Sequence, residues 1–468
     1  MHGSIRVRQP TFGASAEDVT PARMPRPLRV VLITTFYPPY SFGGDAVHVQ
    51  LLARALADAG HRVDVVHCVD SFRTLRGRQP DDGVELRPGL TVHSLRSGFG
   101  ALSPLLSQQT GAPHLKARVL QKIIAECEPD VIHFHNVSLF GPEVMSLAGA
   151  PRSALKLYTT HEYWLVCPTH QLWKYEAQPC ETRDCLRCTL HARRPPQLWR
   201  YTDMLERCAR EIDVFLAPSL FAATMHARHG FSRSMVHFPL FTTTPPSATT
   251  ICVPSPHPRP YCLFAGRLEP AKNVGSLIDA WPRMPDVDLL IAGTGSEETR
   301  LRARAASDPR IRFLGQLRSD ELNAYYTRCV ACLVPSAWYE VFPMVVLEAF
   351  AHGAPVVAHD IGALAEMVEE SGGGVLYRTE DEMVAAVAKL VASPALRSAL
   401  GASGRRAVQG AWSADAYLAR YHALLRATAR RRFGDVPWDA SVPSQQFLPT
   451  GHNGVRPELA HATEARDA

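Results

Sequence analysis

The sequence contains no long apolar run. None of its hydrophobic stretches approaches the ~20 residues that a helix needs to span a bilayer, and its start lacks the basic-then-apolar pattern of a secretory signal. Charge of one sign is also not in excess. The formal net charge is +5 and the arginines are scattered, which argues against nucleic-acid binding. We therefore expect a cytoplasmic protein and leave open a peripheral contact with the inner face of the membrane.

Length and composition favour a multidomain α/β protein. A chain of 468 residues is too long for one ordinary core. Residues 1–26 and 433–468 are rich in Pro, Gly, Arg or Ala without periodicity, which predicts a disordered leader and a disordered tail. Between Leu28 and His67, an apolar run, a glycine loop, a helical pattern from Val47 to Ala59 and a second apolar run form a βαβ unit. Similar units recur within 27–245 and 261–411, which predicts two domains joined by a Pro-, Ser- and Thr-rich linker at 246–260, with a closing helix at 412–432.

Two glutamates eight residues apart form the strongest local signal. Glu340 and Glu348 follow the apolar run 330–334, and Pro343 between them suits the first position of a helix. The N–H groups of a helix start attract phosphate, and carboxylates accept hydrogen bonds from sugar hydroxyls. One segment could therefore bind both halves of a nucleotide-sugar. The alternative is an amphipathic helix with a surface glutamate at each end.

Cations and glycines follow other predicted strands. Arg267 and Lys272 come after the first strand of the second domain, where ligands bind in open α/β sheets, and two cations there suit a diphosphate. Gly266, Gly293 and Gly44 would let the backbone approach a ligand. Solvated surface cations and tight turns without a ligand are the alternatives.

Histidines also stand at strand ends. His133 and His135 would face the same way on a strand and line a cleft, with a metal site disfavoured because no third ligand accompanies them. His161 ends another strand and is a candidate for contact with a reacting sugar. A buried, hydrogen-bonded histidine is the alternative.

Together these segments resemble glycosyltransferase family 4 over roughly Arg29 to Leu425. The resemblance implies the GT-B fold, two Rossmann-like domains that face each other across a cleft. It rests on six segments: 36–44, 129–136, 160–164, 217–219, 266–272 and 340–358.

The resemblance implies a retaining glycosyltransferase that moves a sugar from a nucleotide-diphospho-sugar to a hydroxyl. The acceptor would be a glycan, a lipid-linked precursor or a small metabolite, and no metal or other cofactor would be needed for the chemistry. The catalytic residues would be His161, Arg267, Lys272 and Glu340. The donor would also contact Gly44, Gly266, Gly293, Phe342, Pro343, Met344 and Glu348.

Two alternatives remain open from the sequence. A nucleotide-sugar epimerase would use the same donor without an acceptor, and a non-catalytic protein would bind the donor without transfer. The chain also departs from the family at Val341, where members commonly carry glycine, and at Pro343, where glycine is frequent. Val does not readily adopt a positive φ, so the identity of the sugar is not implied.

A cysteine-rich insert, 163–195, lies outside the common core of the family. Cys167, Cys180, Cys185 and Cys188 could hold a tetrahedral zinc ion, with Cys185 and Cys188 as a chelating pair. The reducing compartment that we expect argues against a framework of disulfides. An iron–sulfur cluster, one disulfide pair and free thiols remain alternatives. We expect a structural zinc that shapes the acceptor pocket.

Overall fold

The computed structural model describes residues 26–41, 43–76, 83, 85–147, 150–244 and 255–438. The predicted leader, except Arg26, most of the predicted linker and the tail from residue 439 lie outside these ranges. Val436 and Trp438 are buried, so the described start of the predicted tail is packed rather than disordered. The domain boundaries themselves remain predictions.

The described residues form two larger sheets and a small one. Their strands are β1 Arg29–Ile33, β2 Arg62–Cys68, β3 Leu90–Leu95, β4 Val131–Phe134, β5 Leu155–Thr159, β6 Trp173–Lys174, β7 Gln178–Pro179, β8 Val214–Ala217, β9 Met235–His237, β10 Tyr261–Ala265, β11 Asp288–Ala292, β12 Ile311–Gly315, β13 Ala331–Val334, β14 Val356–His359 and β15 Gly374–Tyr377. The first sheet has the order β3-β2-β1-β4-β5-β8-β9, the second β12-β11-β10-β13-β14-β15, and the third β6-β7.

The second sheet is parallel, and its strand order reverses between β10 and β13. The chain builds outward from β10 on one side and from β13 on the other. Open α/β sheets bind ligands at such a switch point, beyond the carboxyl ends of the two strands. The segments that begin at Gly266 and at Pro335 follow these two strands, so the topology places both at the expected binding edge.

Helices connect the strands. They are α1 Gly44–Asp58, α2 Val69–Arg76, α3 Leu102–Thr110, α4 Ala117–Cys127, α5 Cys185–His191, α6 Met204–Arg210, α7 Leu220–Arg228, α8 Val274–Ala280, α9 Glu298–Ala305, α10 Ser319–Arg328, α11 Met344–Ala351, α12 Gly362–Ser371, α13 Glu380–Ala392, α14 Pro394–Gln409 and α15 Ala414–Phe433. Short 3₁₀ helices span His114–Lys116, Pro142–Ser146, Leu198–Tyr201, Pro270–Lys272 and Trp281–Arg283.

The apolar runs predicted as strands form strands because helices cover both faces of each sheet. Residues 30–33 of β1 and 261–264 of β10 are buried, as a parallel strand covered on both faces requires. Helix α1 begins at Gly44, three residues before the apolar pattern predicted. Its first two residues are Gly44 and Asp45, which have no apolar side chain, and this explains why apolar periodicity missed the start.

Two glycines bring the carboxyl ends of β10 and β11 together. Gly293 has a φ of +135°, and a Cβ built there would lie 1.9 Å from the carbonyl oxygen of Gly266. The N–H of Gly266 in turn donates to Ala292, at 3.0 Å. The glycine at 293 is therefore required by the packing of the two strand ends, which also fixes the start of the segment that carries Arg267.

The region predicted as a closing helix contains α15, and a residue of this helix contacts His133. This histidine is buried, its Nε2 lies 2.8 Å from the Thr159 hydroxyl and its Nδ1 lies 3.1 Å from the hydroxyl of Tyr421 on α15. His135 is buried as well. The prediction that the two histidines line a cleft is wrong, because both side chains are buried within the fold.

The described residues pack as two compact units. One contains 160–196 and 216–417, and the other contains the described parts of 12–159, 197–215 and 418–468. The cysteine-rich insert thus belongs to the same unit as the second sheet. No single helix among the described residues is long and apolar enough to cross a bilayer, whereas the bent pair Glu380–Ala392 and Pro394–Phe433 passes on length and composition alone.

Replacing Gly293 with Ala should lower the free energy of unfolding by at least about 2 kcal/mol, because overpacking against backbone adds to a strained φ. Gly60→Ala is the matched control. Gly60 has a φ of +88° but nothing within 4 Å of a Cβ, so its cost should stay near about 1 kcal/mol. Denaturant unfolding of both variants measures the difference. Equal losses would show that the close approach at Gly293 is unimportant.

Candidate active site

Two loops meet beyond β10 and β13. The first runs from Gly266 to Asn273, and the second from Pro335 to Pro343. The N–H of Ala337 in the second loop donates to the carbonyl of Ala271 in the first, at 2.9 Å. The N–H of Leu268 donates to Thr294 beyond β11, at 2.9 Å. Loops that follow three neighbouring strands are therefore tied together through their backbones.

A buried ion pair joins the two loops. The ammonium of Lys272 pairs with Oε1 of Glu340, and the Ser336 hydroxyl donates to the same oxygen at 2.8 Å. Glu340 is 7% exposed. Lys272 Nζ also lies 5.5 Å from the ring centre of Trp338, within reach of a cation–π interaction.

The ion pair keeps Glu340 charged. Burial would raise the pKa of this carboxyl, but the charge of Lys272 and the hydrogen bonds from Lys272 and Ser336 outweigh burial, and the pKa is lowered. An ionised carboxylate is a hydrogen-bond acceptor only. Glu340 is thus suited to accept hydrogen bonds from hydroxyl groups.

Arg267 lies in the first loop and is already engaged. Its Nη1 donates to Glu269 Oε1 at 2.7 Å, and 36% of its side-chain surface is exposed. Both residues belong to the same loop. Because the pair is partly exposed, it contributes little to stability. An incoming anion can therefore compete for this guanidinium at small cost to the fold.

The second loop leads into α11, which begins at Met344, one residue later than predicted. Pro343 is the N-cap residue, with φ −71° and ψ 110°. The N–H groups of a first helical turn lack intrahelical acceptors. Here that turn begins with Met344 and carries no acidic residue, and Phe342 before it is also buried. The start of α11 thus offers backbone donors without an acidic side chain beside them.

Glu348 lies on α11 beside Tyr326 of α10. The Tyr326 hydroxyl donates to Glu348 Oε2 at 3.0 Å, and Glu348 keeps part of its surface exposed. Close packing around the carboxylate raises its pKa to about 7, and the bond from Tyr326 opposes the rise only in part. Near neutral pH, Glu340 is therefore ionised, whereas Glu348 is only partly ionised.

Ser219 fixes the backbone between the two glutamates. Its hydroxyl donates to the carbonyl of Val341 at 2.8 Å and accepts the N–H of Ala222 at 3.1 Å, which caps α7. The N–H groups of Leu220 and Phe221 donate to the two oxygens of Glu366, at 2.8 and 2.9 Å. The start of α7 is thus satisfied by protein groups and leaves the start of α11 as the better site for an anion.

The remaining candidates lie in several places. His161, partly exposed, follows β5 by two residues in the unit that holds Lys272 and Glu340. Gly44 lies in the other unit at the first position of α1, followed by Asp45, whose carboxylate accepts a bond from Asn136 at 3.0 Å. Their contacts with a donor remain predictions, as does that of Gly293.

Three cysteines of the insert, Cys167, Cys185 and Cys188, lie near the fourth, Cys180. Burial raises the pKa of the Cys180 thiol to about 11, with further contributions from the neighbouring thiols of Cys167, Cys185 and Cys188. The N–H of Tyr175 donates to Cys188 Sγ at 3.4 Å. None of the four forms a disulfide.

Sequence reasoning missed the groups that support the candidate residues. Ser336 precedes Glu340 by four residues and Trp338 by two, so a search for polar and aromatic residues beside the first glutamate could have found both. Tyr326 gave no comparable signal. It lies 22 residues before its partner Glu348, and only the packing of α10 on α11 brings the two together.

Two family models match the chain. The model for "Glycosyltransferase Family 4" matches residues 42–238 and the model for "Glycosyl transferases group 1" matches residues 259–393. The two matches together span most of the chain. The chain belongs to glycosyltransferase family 4.

Individual relatives agree with this family. A glycogen synthase of Mycobacterium tuberculosis is 28% identical over 79% of the chain and 87% of its own length. A phosphatidyl-myo-inositol mannosyltransferase of Mycolicibacterium smegmatis is 27% identical over 77% and 85%. The solved structure of a sucrose-phosphate synthase from Thermosynechococcus elongatus superimposes with a TM-score of 0.66 at 22% identity, covering 85% of this chain and 98% of that one. The predicted GT-B fold is confirmed, and the protein is a glycosyltransferase.

The raised pKa of Glu348 predicts how stability depends on pH. A carboxyl whose pKa is about 7 when folded, against a usual 4.5, stabilises the fold below pH 4.5, and this contribution is lost as the pH rises toward 7. Relative to Glu348→Gln, the wild type should therefore lose up to about 3 kcal/mol of unfolding free energy over that range.

Denaturant unfolding at a series of pH values measures this loss. Glu369→Gln, at an exposed position on α12, serves as the control and should follow the wild-type profile. A Glu348→Gln profile parallel to the wild type would contradict the assignment.

Proposed function

We propose that this family 4 enzyme transfers a sugar, with retention of anomeric configuration, from a nucleotide-diphospho-sugar to a hydroxyl group. The observation that carries the proposal is the buried pair of Lys272 and Glu340 at the switch point of the second sheet, beside the start of α11. The ammonium of Lys272, the ionised carboxylate of Glu340 and the N–H groups at the start of α11 all belong to this edge of the sheet.

The diphosphate is assigned to the cations and to the start of α11. Lys272 and Glu340 cancel each other's charge, as do Arg267 and Glu269. A bound diphosphate therefore needs additional positive potential. Release of Arg267 from Glu269 supplies a guanidinium fork, and the N–H groups at Met344 and Val345 supply the positive end of the helix dipole.

The transferred sugar is assigned to Glu340 and the segment after it. Lys272 and Ser336 use Oε1 of this carboxylate, and we assign Oε2 to a sugar hydroxyl. The segment 341–344 would contact the same sugar. Since the carbonyl of Val341 is bound to Ser219, this backbone is held in one conformation, and selection among sugars would depend on that conformation.

The ribose is assigned to Glu348. Two adjacent hydroxyls suit one carboxylate, and Tyr326 orients it from the other side. Binding of the hydroxyls to the charged form would lower the raised pKa, so nucleotide affinity should increase with pH between 6 and 8.

The chemical step would proceed on one face of the sugar. The bond from the anomeric carbon to the phosphate oxygen breaks, and the acceptor oxygen forms the new bond on the same face. The acceptor proton passes to the departing phosphate oxygen. Arg267 and Lys272 would stabilise the charge that develops there, and His161 would contact the sugar. The names of the relatives, a glycogen synthase and a phosphatidylinositol mannosyltransferase, favour a carbohydrate or glycolipid acceptor.

A panel of UDP-, GDP- and ADP-sugars tests the proposal. One donor should raise the melting temperature, because ligand that binds only the folded state stabilises it, and should be slowly hydrolysed to the sugar of unchanged anomeric configuration, which NMR spectroscopy detects early in the reaction. Inversion would refute retention, and epimerisation of the donor would favour the epimerase. Stabilisation by none of the donors would overturn the proposal.

Arg267→Ala should reduce donor turnover by about 10²–10³-fold in kcat/KM, because it removes a charge-stabilising group from the transition state. Arg318→Ala is the matched control, since Arg318 also pairs with an acid two residues on, Asp320, at 3.2 Å, and is 74% exposed. Steady-state hydrolysis of the best donor measures both. Equal effects of the two substitutions would show that Arg267 has no role in the active site.

Glu348→Ala should weaken binding of the matching nucleoside diphosphate about 10- to 100-fold, the loss of hydrogen bonds to a charged group. Isothermal titration calorimetry at pH 8 measures it. Glu369→Ala, an exposed position on α12, should bind as the wild type does. An unchanged affinity of the Glu348 variant would refute its role at the ribose.

A further inference from the structure

We propose that Cys167, Cys180, Cys185 and Cys188 bind one structural zinc ion, which holds the insert 163–195 against the segment that carries Glu340. Four thiolates around one ion form the common structural zinc site. Neither the family nor the transfer reaction calls for a metal here.

The insert has little regular structure to hold it together. Between Tyr163 and Pro195 it contains the two-residue strands β6 and β7 and the seven-residue helix α5. Five of its non-glycine residues have a positive φ: His170, Leu172, Tyr175, Glu176 and Arg193. Small units with little regular structure are commonly stabilised by a metal or by disulfides.

The backbone brings the four cysteines to one place. Cys185 and Cys188 lie in the first turn of α5, three residues apart and on one face of it. Cys180 follows β7 and packs with Cys167 in the apolar cluster that includes Leu172 and Val341. The N–H of Tyr175, at the tip of the β6–β7 hairpin, donates to Cys188 Sγ at 3.4 Å, a bond that would stabilise a metal thiolate.

A second group of side chains also brings possible metal ligands together. Among the described residues, the ligand atoms of Asp64, His93 and Cys127 all lie within 4.8 Å of one another, whereas no three thiols of the insert meet that limit. Asp64 and His93 already satisfy each other through a hydrogen bond of 2.8 Å, so their closeness needs no ion. In the insert, tetrahedral zinc with Zn–S bonds of about 2.3 Å would gather the sulfurs to about 3.8 Å, so binding of the ion requires the cysteine side chains to move together.

The insert packs against the backbone around Glu340. The Tyr339 ring lies 5.0 Å from the ring of Phe221 on α7, and Tyr339 packs with Cys180 and Cys167 against Val341. A metal that fixes the cysteines would therefore fix the support behind Val341. Its effect on donor binding rests on the proposed function, whereas the metal site itself does not.

Metal analysis of the full-length protein, purified without a metal-affinity column, tests the site. Inductively coupled plasma mass spectrometry should find about one zinc per chain, and Cys188→Ser should reduce it at least tenfold. Cys127→Ser is the matched control, because Cys127 is partly buried and belongs to the competing group. It should retain full zinc.

A second measurement covers a Cys188 variant that does not fold. Titration of the folded wild type with p-hydroxymercuribenzoate should release the zinc as four thiols react, and peptide mapping should identify Cys167, Cys180, Cys185 and Cys188. Loss of zinc in Cys127→Ser alone would overturn the proposal. Iron in place of zinc, a disulfide within the insert, or protein without metal would each overturn it as well. Donor binding is measured separately, so failure of the transferase assay leaves this test intact.

Discussion

The buried pair between Lys272 and Glu340 is the contact on which the candidate site depends. A charged carboxylate is stable in a buried position only when it is paired and hydrogen-bonded, and removal of one partner from such a pair commonly costs about 3–5 kcal/mol. Here the partners come from loops 68 residues apart in sequence, beyond the two strands where the sheet order reverses. The same contact therefore joins the halves of the second sheet at its binding edge and keeps ionised the glutamate that we assign to the sugar. Folding and chemistry impose the same requirement on these two side chains.

Other residues support this ion pair or the backbone next to it. Ser336 and Trp338 contact it directly, Ser219 holds the next carbonyl, and Tyr326 orients the second glutamate on α11. The insert packs behind Tyr339 and Val341. Ser336 and Trp338 belong to the same loop as Glu340, whereas Ser219, Tyr326 and the insert belong to other parts of the fold. The loop 335–343 is therefore held both by its own hydrogen bonds and by its neighbours.

The parts of the fold that depend on local pattern were predictable. Buried parallel strands read as apolar runs, and glycines, strand ends and paired charges marked the residues Arg267, Lys272, Glu340 and Glu348. What the sequence could not reveal are pairings between distant positions. The pattern did not indicate that His133 would bond Tyr421 or that Tyr326 would meet Glu348, because each depends on how helices pack on sheets. The difference in pKa between the two glutamates has the same origin, since burial and partners, not residue type, determine it.

The bond from Ser219 to the carbonyl of Val341 bears on how such enzymes can be recombined. Val341 and Ser219, whose hydroxyl binds the Val341 carbonyl, lie 122 positions apart in sequence. Each belongs to a different one of the two regions that the family models match. A chimaera that exchanges the second region alone would receive the glutamates but meet a foreign partner at residue 219 and a foreign insert. On the proposed assignment, sugar preference would be a property shared by both halves of the chain, and an exchange of one half would separate the residues that determine it.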